Sequence, residues 1–352
     1  MILPKETLAA ILVEQKKDLV IGNITLPEKL DVGQVLVEYH FSGICGSQIG
    51  EIEGVKGPDN WLPHLLGHEA SGTVLGIGPG VSRVKPGDKI VGHWRPATGI
   101  QSTTPKYTWN GKTVNAGWIT TFNKFGVAAE NRLTKIDSVE RNEELALFGC
   151  AITTGFGVID NNVKLKLGET VVVFGSGGIG LSLIQAANFA GASQIVAIDR
   201  FDNRLELAGK IGATSCINSK RKQVWKELEQ IFATKGPDVF IDNTGNTDII
   251  SQGFNTLSNN GKMILVGVPQ HSEMSEIHTL PLHFGKSITG SHGGDCQPEK
   301  DIPRYLDLIK MRKLQLGEII TDIKPLKRIN DLIDDMKSGK STGRCLVNLN
   351  AE

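Results

Sequence analysis

The hydrophobic positions along the chain change their pattern once, near residue 155. Before that point, short alternating or apolar runs are separated by Gly, Pro and Asp turns, for example 35–39, 72–75 and 89–92. Such runs predict a β-rich segment. After it, helical stretches (179–190 and 203–211) alternate with apolar runs of strand length, at 170–174, 194–198, 239–242 and 263–267. This alternation predicts a doubly wound parallel sheet. The tail predicts a helix at 302–312 and a last strand at 344–349.

Composition and charge narrow the class of protein. The 352 residues are enough for two hydrophobic cores, and 39% hydrophobic with 22% charged residues is typical of a globular enzyme. Lys plus Arg and Asp plus Glu are both 38, so the net charge of zero offers no long-range field for nucleic acid or an anionic membrane. We see no apolar run of about 18 residues and no secretory signal pattern. We therefore expect a cytoplasmic protein without nucleic-acid or membrane partners.

A glycine-rich loop follows the apolar run at 171–174 and precedes a helical pattern. It reads Gly175-Ser176-Gly177-Gly178-Ile179-Gly180, which fits the spacing G-x-G-x-x-G. In that context the glycines permit a tight turn, a close backbone approach to a pyrophosphate and close packing of helix on strand. The loop predicts a dinucleotide site; the alternative is a packing loop without a ligand.

The choice of dinucleotide depends on Asp199, which stands nineteen residues beyond Gly180 at the end of the next apolar run. A carboxylate there can accept the hydroxyls of the adenine ribose and would repel a 2′-phosphate. Arg200 and Arg204 could instead serve a 2′-phosphate, or lie over the adenine or in solvent. We expect NAD rather than NADP.

Three separated positions could hold a catalytic metal. Cys45 lies in a glycine turn, His68 precedes Glu69 directly, and Cys150 lies about 20 residues before the dinucleotide loop. Two thiolates and an imidazole are three ligands that a catalytic zinc takes while a fourth position stays open. The spacing alone does not show that they converge, and each could be an ordinary packing residue. The five cysteines contain no C-x-x-C, which argues against a disulfide framework and a closed structural zinc site.

These motifs resemble the medium-chain alcohol dehydrogenases along nearly the whole chain. The matching stretches are the zinc-binding signature (67–72, then Gly78 and Val81), 43–47, 86–88, 153–155, the glycine loop with Asp199, and 339–344. The resemblance implies a GroES-like catalytic domain (1–151 and 290–352) into which a Rossmann domain (152–289) is inserted. It also implies that Cys45, His68 and Cys150 are zinc ligands, with Glu69 behind the metal as a transient ligand.

The resemblance assigns further roles. Ser47 would pass the alcohol proton outward, Thr154 would lie beside the nicotinamide, and Arg344 would contact the pyrophosphate. Thr244 and Val268 are expected to be further contacts to the dinucleotide. A homo-oligomer, a dimer or tetramer with its dimer contact through the nucleotide domains, is expected too.

The chain departs from the family in three ways. The four cysteines of the structural-zinc lobe are missing from the sequence, so we predict one catalytic zinc and no structural zinc. Gln48 replaces an aspartate that accepts the N–H of the zinc histidine, and we expect its carbonyl to accept that bond. Gly50 replaces a relay histidine, which leaves Glu51 or His64 as candidates for the proton exit, or as ordinary surface residues.

The segment 94–118 is rich in Trp, Asn, Thr and basic residues. Trp94 occupies the family position of an aromatic pocket wall, and His93, Arg95 and Asn115 would make that pocket polar. This favours a polyol, sugar or sugar-phosphate-like substrate, although a simple surface loop would have the same composition. Alternatives are an epimerase-like enzyme with tightly bound NAD, a non-catalytic dinucleotide-binding sensor or scaffold, and a zinc-free quinone reductase.

Overall fold

The structure is a computed structural model, and it describes residues 4–55, 57–137, 141–311 and 316–351. The chain forms two compact units. The first comprises Met1–Cys150, Gln297–Met311 and Ile320–Glu352, and the second comprises Ala151–Cys296 and Arg312–Ile319. The predicted domain boundaries at 151/152 and 289/290 stay a prediction.

The first unit is built mainly from β-strands. Its strands are β1 (Glu6–Leu12), β2 (Val20–Thr25), β3 (Gln34–Ile44), β4 (His64–Leu65), β5 (Glu69–Ile77), β6 (Lys89–His93), β7 (Tyr107–Trp109), β8 (Lys112–Val114), β9 (Phe125–Ala129), β10 (Leu133–Lys135), β17 (Ile320–Pro325) and β18 (Arg344–Asn348). One sheet has the order β4-β1-β2-β7-β8. The other has the order β10-β6-β5-β3-β18-β17, and β9 also pairs with β3.

Helices of the first unit are short or lie near its end. They are α1 (Gly46–Ile52), α2 (Asn142–Ala146), α8 (Pro298–Lys310) and α10 (Ile329–Ser338). Helix α10 ends at Gly339, whose left-handed conformation (φ 77°) suits the position after a helix. The helix predicted at 302–312 is α8, although residue 312 lies outside the described part of the chain. The core of this unit packs strand residues such as Val35, Val37 and Val347 against Leu332 of α10.

The second unit has a parallel sheet, as the alternating pattern predicts. Its strands are β11 (Thr170–Phe174), β12 (Gln194–Asp199), β13 (Ser215–Asn218), β14 (Val239–Asp242), β15 (Lys262–Leu265) and β16 (Ser287–Gly290). They lie in the order β13-β12-β11-β14-β15-β16, and all neighbouring pairs are parallel. The central strands β11 and β14 are mainly apolar and, apart from Thr170, buried, which is typical of a sheet covered on both faces.

Helices precede, connect and follow these strands. They are α3 (Ala151–Gly157), α4 (Gly178–Phe189), α5 (Asp202–Lys210), α6 (Val224–Phe232), α7 (Thr247–Thr256) and α9 (Leu316–Ile319). The mixed fold, a parallel-sheet domain together with a β-rich domain, agrees with the predicted fold class. Among the helices of the described residues, none combines the length and the apolar character needed to cross a membrane.

Candidate active site

The first unit brings three of the predicted site residues together. Cys45, His68 and Cys150 each offer a ligand atom, and these atoms all lie within 4.8 Å of one another. Cys45 directly follows β3 and His68 directly precedes β5. Because β3 and β5 pair antiparallel, with Ser42 opposite Ala70, the end of one strand and the start of the other are neighbours.

Cys150 reaches the same place through a close backbone approach. It follows a 3-10 turn (Leu147–Gly149), and a Cβ on Gly149 would lie 2.3 Å from the Gly92 carbonyl oxygen and 2.6 Å from Glu69 Cα. Only glycine allows the turn to pack this tightly against β5 and β6. The requirement for glycine arises from tertiary packing, so it could not be recognised in the sequence pattern.

The donor set fits a metal ion. His68 Nε2 is a buried nitrogen, and it forms no hydrogen bond within the described part of the chain. The neighbouring Cys150 thiol holds the pKa of Cys45 well below its ordinary range, and His68 and Arg344 act in the same direction, against the effect of burial. A depressed thiol pKa favours the thiolate, which is the form that binds metals.

Glu69 and Arg344 form a buried ion pair next to these three residues. Glu69 begins β5 and Arg344 begins β18, and both strands flank β3 in one sheet. The sequence analysis predicted separate roles for these two side chains, Glu69 as a transient metal ligand and Arg344 as a contact to the pyrophosphate. The structure shows that the charge of one balances the charge of the other inside the first unit.

Gln48 does not take the place predicted for it. Its Oε1 accepts a hydrogen bond from the Cys45 backbone N–H at 2.9 Å, at the start of α1. No hydrogen bond joins it to His68, although both side chains are described. The predicted acceptor role toward His68 is therefore wrong: Gln48 stabilises the turn that presents Cys45. Ser47, on the first turn of α1, is exposed.

A cavity of about 600 Å³ opens beside His68 in the first unit. Its lining includes Gln48, His68, Asn115, Trp61 and Trp118. The predicted pocket residue Trp94 is not among the residues that line it. The Trp94 ring contacts Arg95, 5.8 Å from the guanidinium carbon, and its carbonyl accepts from Arg132.

His93 also differs from the expected pocket residue. It is buried, with Nδ1 2.7 Å from the Arg95 carbonyl oxygen and Nε2 2.9 Å from Thr134 Oγ1. Burial lowers its pKa to about 4. The side chain is thus a neutral core group, and it does not contribute polarity to the cavity.

Glu51 and His64, the candidates for a proton exit, lie together on the cavity wall with Asp59 nearby. His64 Nε2 is 2.7 Å from Asp59 Oδ2 and 3.8 Å from Glu51 Oε1. Burial alone would raise the pKa of Asp59, but the Trp61 N–H and His64 outweigh it and the pKa is lowered. Asp59 belongs to none of the motifs, so sequence reasoning did not include it.

In the second unit, the glycine loop joins β11 to α4. Gly175 has a φ of +96°, and a Cβ on Gly180 would lie only 1.9 Å from the Gly175 carbonyl oxygen. A Cβ on Gly177 would meet nothing nearer than Arg204 Nη1 at 3.9 Å. The loop is therefore closed where helix and strand pack, and open above the N-terminus of α4, where Gly178 and Ile179 present backbone N–H groups.

Asp199 ends β12 next to this loop. Its Oδ2 accepts from the Ser176 backbone N–H at 2.8 Å, and its Oδ1 accepts from the Phe201 N–H at 3.1 Å. Arg204 Nη1 lies 3.8 Å from Asp199 Oδ2. The guanidinium carbons of Arg200 and Arg204 each lie 4.9 Å from the Phe201 ring centre, so both arginines are near the end of β12.

Asp242, at the end of β14, is a residue that the sequence reasoning missed. Its carboxylate accepts from the Thr244 hydroxyl at 2.6 Å and from the Gly245 N–H at 2.8 Å, while burial raises its pKa. It thereby fixes the turn that carries Thr244. An acidic residue at the carboxyl end of a parallel strand was the available signal.

Two other residues, Val268 and Thr154, were predicted to contact the cofactor. Val268 is exposed in the second unit, beyond β15. Thr154 is buried within α3.

Comparison with known proteins agrees with this architecture. Residues 31–139 match the family model of the alcohol dehydrogenase GroES-like domain, and residues 178–311 match that of the zinc-binding dehydrogenases. Benzyl alcohol dehydrogenase from Acinetobacter calcoaceticus is similar in structure, with a TM-score of 0.87 and 26% identity over 98% of this chain and 99% of that chain.

Two further solved structures are similar. An alcohol dehydrogenase zinc-binding domain protein from Burkholderia ambifaria has a TM-score of 0.87 and 26% identity, over 98% of this chain and 99% of that chain. The 2R,3R-butanediol dehydrogenase from Bacillus subtilis has a TM-score of 0.79 and 26% identity, over 98% and 100%. The family matches and these structures together show that the chain belongs to the medium-chain dehydrogenase family and is an oxidoreductase of the alcohol dehydrogenase type.

Proposed function

We propose that the chain is a zinc-dependent dehydrogenase that transfers a hydride between NAD(H) and an alcohol or carbonyl, with a polyol, sugar or sugar-phosphate-like substrate. The observation that carries this proposal is the convergence of Cys45, His68 and Cys150, which lie more than 100 residues apart along the chain from first to last. Two thiols and an imidazole are a donor set of catalytic zinc sites, in which the fourth position stays open.

Cys45, His68 and Cys150 would hold the zinc, and Glu69 would be the transient ligand. Zinc bound there would supply Lewis acidity to the substrate oxygen, which lowers the pKa of an alcohol. The protein's own side chains would supply proton transfer and charge balance. The exposed Ser47 hydroxyl can accept the alcohol proton and pass it to solvent. The Glu69–Arg344 pair leaves no unbalanced carboxylate beside the thiolates.

The second unit would bind the dinucleotide. Open space above the N-terminus of α4 suits a pyrophosphate, and Asp199 suits the ribose hydroxyls of NAD. Thr244 and Val268, near the same loop, and Thr154 and Arg344 remain proposed cofactor contacts. None of the five cysteines forms a disulfide within the described part of the chain, which supports the proposal of a reducing, cytoplasmic compartment.

The first experiment is metal analysis of protein purified without chelators. We expect about one zinc per chain, lost together with NAD reduction in Cys45→Ala, because a site with one thiolate and one imidazole loses most of its affinity. Cys216→Ala is the matched control, because Cys216 is an exposed thiol outside the site. Failure to bind zinc, even when it is supplied, would overturn the proposal and favour a zinc-free reductase.

A further inference from the structure

We propose that the cavity beside His68 binds an uncharged polyhydroxylated substrate, a sugar ring or a polyol, through Gln48, Glu51 and two tryptophans. The cavity volume of about 600 Å³ lies in the usual range of small-molecule sites. The inference rests on the proposed dehydrogenase function, since it assigns to the cavity the part of the substrate next to the reacting carbon.

Gln48 supplies an unused hydrogen-bond donor. The side chain is only 2% exposed, and its Oε1 must face the Cys45 N–H because only the oxygen can accept that bond. This fixes Nε2, which is buried and forms no hydrogen bond in the described structure. A buried donor without a partner is unfavourable, so a substrate hydroxyl that accepts from Nε2 would gain affinity.

Glu51 supplies the complementary acceptor. His64 Nδ1 lies 3.0 Å from the Leu65 carbonyl oxygen and Nε2 lies 2.7 Å from Asp59 Oδ2, and both oxygens accept. Both ring nitrogens of His64 are therefore engaged, and Nε2 is held by Asp59. Glu51 is farther from Nε2, at 3.8 Å, and its carboxylate is partly exposed on the cavity wall. It remains able to accept from substrate hydroxyls.

Two tryptophans give the cavity apolar faces. Trp61 is 70% exposed and Trp118 is 43% exposed, although both line the cavity. The Trp61 backbone is held by Asn115 Nδ2, which donates to its carbonyl at 2.7 Å. Arg132 lies 5.1 Å from the Trp118 ring centre. Exposed aromatic side chains beside polar groups suit a ring that has hydroxyl edges and C–H faces.

The charges of the wall disfavour a phosphate. The lining has one carboxylate, Glu51, and one ammonium group, Lys106, and the lining residue His64 is bound to the carboxylate of Asp59. The wall thus has no excess of positive charge for a dianion, and Glu51 would repel one. The charge of the wall therefore favours neutral sugars and polyols over sugar phosphates, a distinction that the sequence analysis did not make.

The test compares neutral polyols and monosaccharides, sugar phosphates and a small alcohol with the zinc-loaded enzyme and NAD. We expect the neutral polyhydroxylated compounds to have the highest kcat/KM. Glu51→Gln should raise KM for them by about tenfold or more and change KM for the small alcohol much less, because a hydrogen bond between a charged group and the substrate hydroxyls is lost. Glu53→Gln is the control, since Glu53 pairs with Lys337 and does not line the cavity.

A second readout needs neither turnover nor cofactor. Titration of the protein with a monosaccharide and with a linear hexitol should quench tryptophan fluorescence saturably for at least one of the two, and Glu51→Gln should shift that curve to higher concentration. Preference for a sugar phosphate or a small alcohol, or an equal loss on all substrates in Glu51→Gln, would overturn the inference. If no alcohol is oxidised at all, the proposed function fails. The titration then still decides the subsite, since absence of saturable quenching overturns it.

Discussion

At the scale of single residues, the proposed preference for NAD over NADP depends on Asp199. Its carboxylate is held by the backbone N–H groups of Ser176 and Phe201 at the end of β12, next to the glycine loop. We expect Asp199→Ser to lower kcat/KM for NAD by about tenfold to a hundredfold, since hydrogen bonds to a charged group are lost. The same change should raise kcat/KM for NADP, because the repulsion disappears and Arg200 and Arg204 remain.

The measurement is kcat/KM with each dinucleotide for the unmodified and the changed enzyme. Asp202→Ser serves as the control, because Asp202 lies three residues further on and pairs with Arg221 in solvent. A preference of the unmodified enzyme for NADP would contradict the role of Asp199.

The buried side chain of His93 allows us to predict how the unfolding free energy depends on pH. Burial lowers its pKa to about 4 in the folded state, against about 6.5 when unfolded. Between these values the unfolded state binds the extra proton, so the contribution of His93 to stability is present above pH 6.5 and is lost as pH falls toward 4. The full loss is about 3 kcal/mol.

Chemical unfolding of metal-free protein from pH 7 to pH 4.5 measures this effect. We expect His93→Gln, which keeps a donor and an acceptor, to flatten the fall of the unfolding free energy with decreasing pH. His283→Gln, at an exposed histidine, should leave that slope unchanged. An equal slope in the His93 variant and the unmodified protein would count against a neutral, buried His93.

The residues that the sequence could and could not assign differ in what fixes them. The motif around His68 and the glycine turn at Cys45 named candidate ligands, because the local backbone alone presents those side chains. Gln48 and Trp94 were assigned by position, but their contacts depend on which neighbours the fold supplies. Asp59 was missed because only the packing of its loop brings it to His64.

At the scale of elements, the turn between β11 and α4 depends on Gly180. A Cβ there would lie 1.9 Å from the Gly175 oxygen, so Gly180→Ala must displace the loop. We expect this variant to remain folded and to lose NADH binding by tenfold or more in a fluorescence titration, since the loop no longer fits a pyrophosphate.

Gly209→Ala is the matched control for this change. Gly209 lies on α5, and a Cβ there would meet nothing within 4 Å. Alanine should raise the unfolding free energy by up to about 1 kcal/mol, because glycine is the weaker helix former, and leave NADH binding unchanged. Equal NADH affinity in both variants would show that the loop does not carry the cofactor.

A sequence pattern predicts a helix or strand well when the interactions that define the element are local. Residues 170–174 and 239–242 were predicted as strands and are β11 and β14 as they stand, because continuous β-branched and apolar runs identify buried strands. Strand β18 was predicted as well, but its position between β3 and β17 was not. Strand β18 pairs with β3 through residues about 300 positions apart along the chain, and a local sequence pattern does not reveal such a pairing.

At the scale of the whole molecule, the exposed end of the parallel sheet bears on the predicted oligomer. β16 is the last strand in the described order, and the segment before it exposes Leu280, Leu282 and Phe284. An unpaired strand edge next to exposed apolar side chains is a surface that proteins usually cover. We therefore expect a homodimer formed through this part of the second unit.

Phe284→Asp tests that expectation, because Phe284 is 73% exposed and a charge there would be buried unpaired in a dimer. Loss of an aromatic anchor costs about 2 kcal/mol or more, so the dimer dissociation constant should rise by at least about thirtyfold in sedimentation experiments. Leu167→Asp, at an equally apolar side chain that is 86% exposed outside this segment, should leave the dimer intact. A monomeric unmodified protein would refute the dimer itself, whereas a dimer that tolerates Phe284→Asp would place the contact on another face.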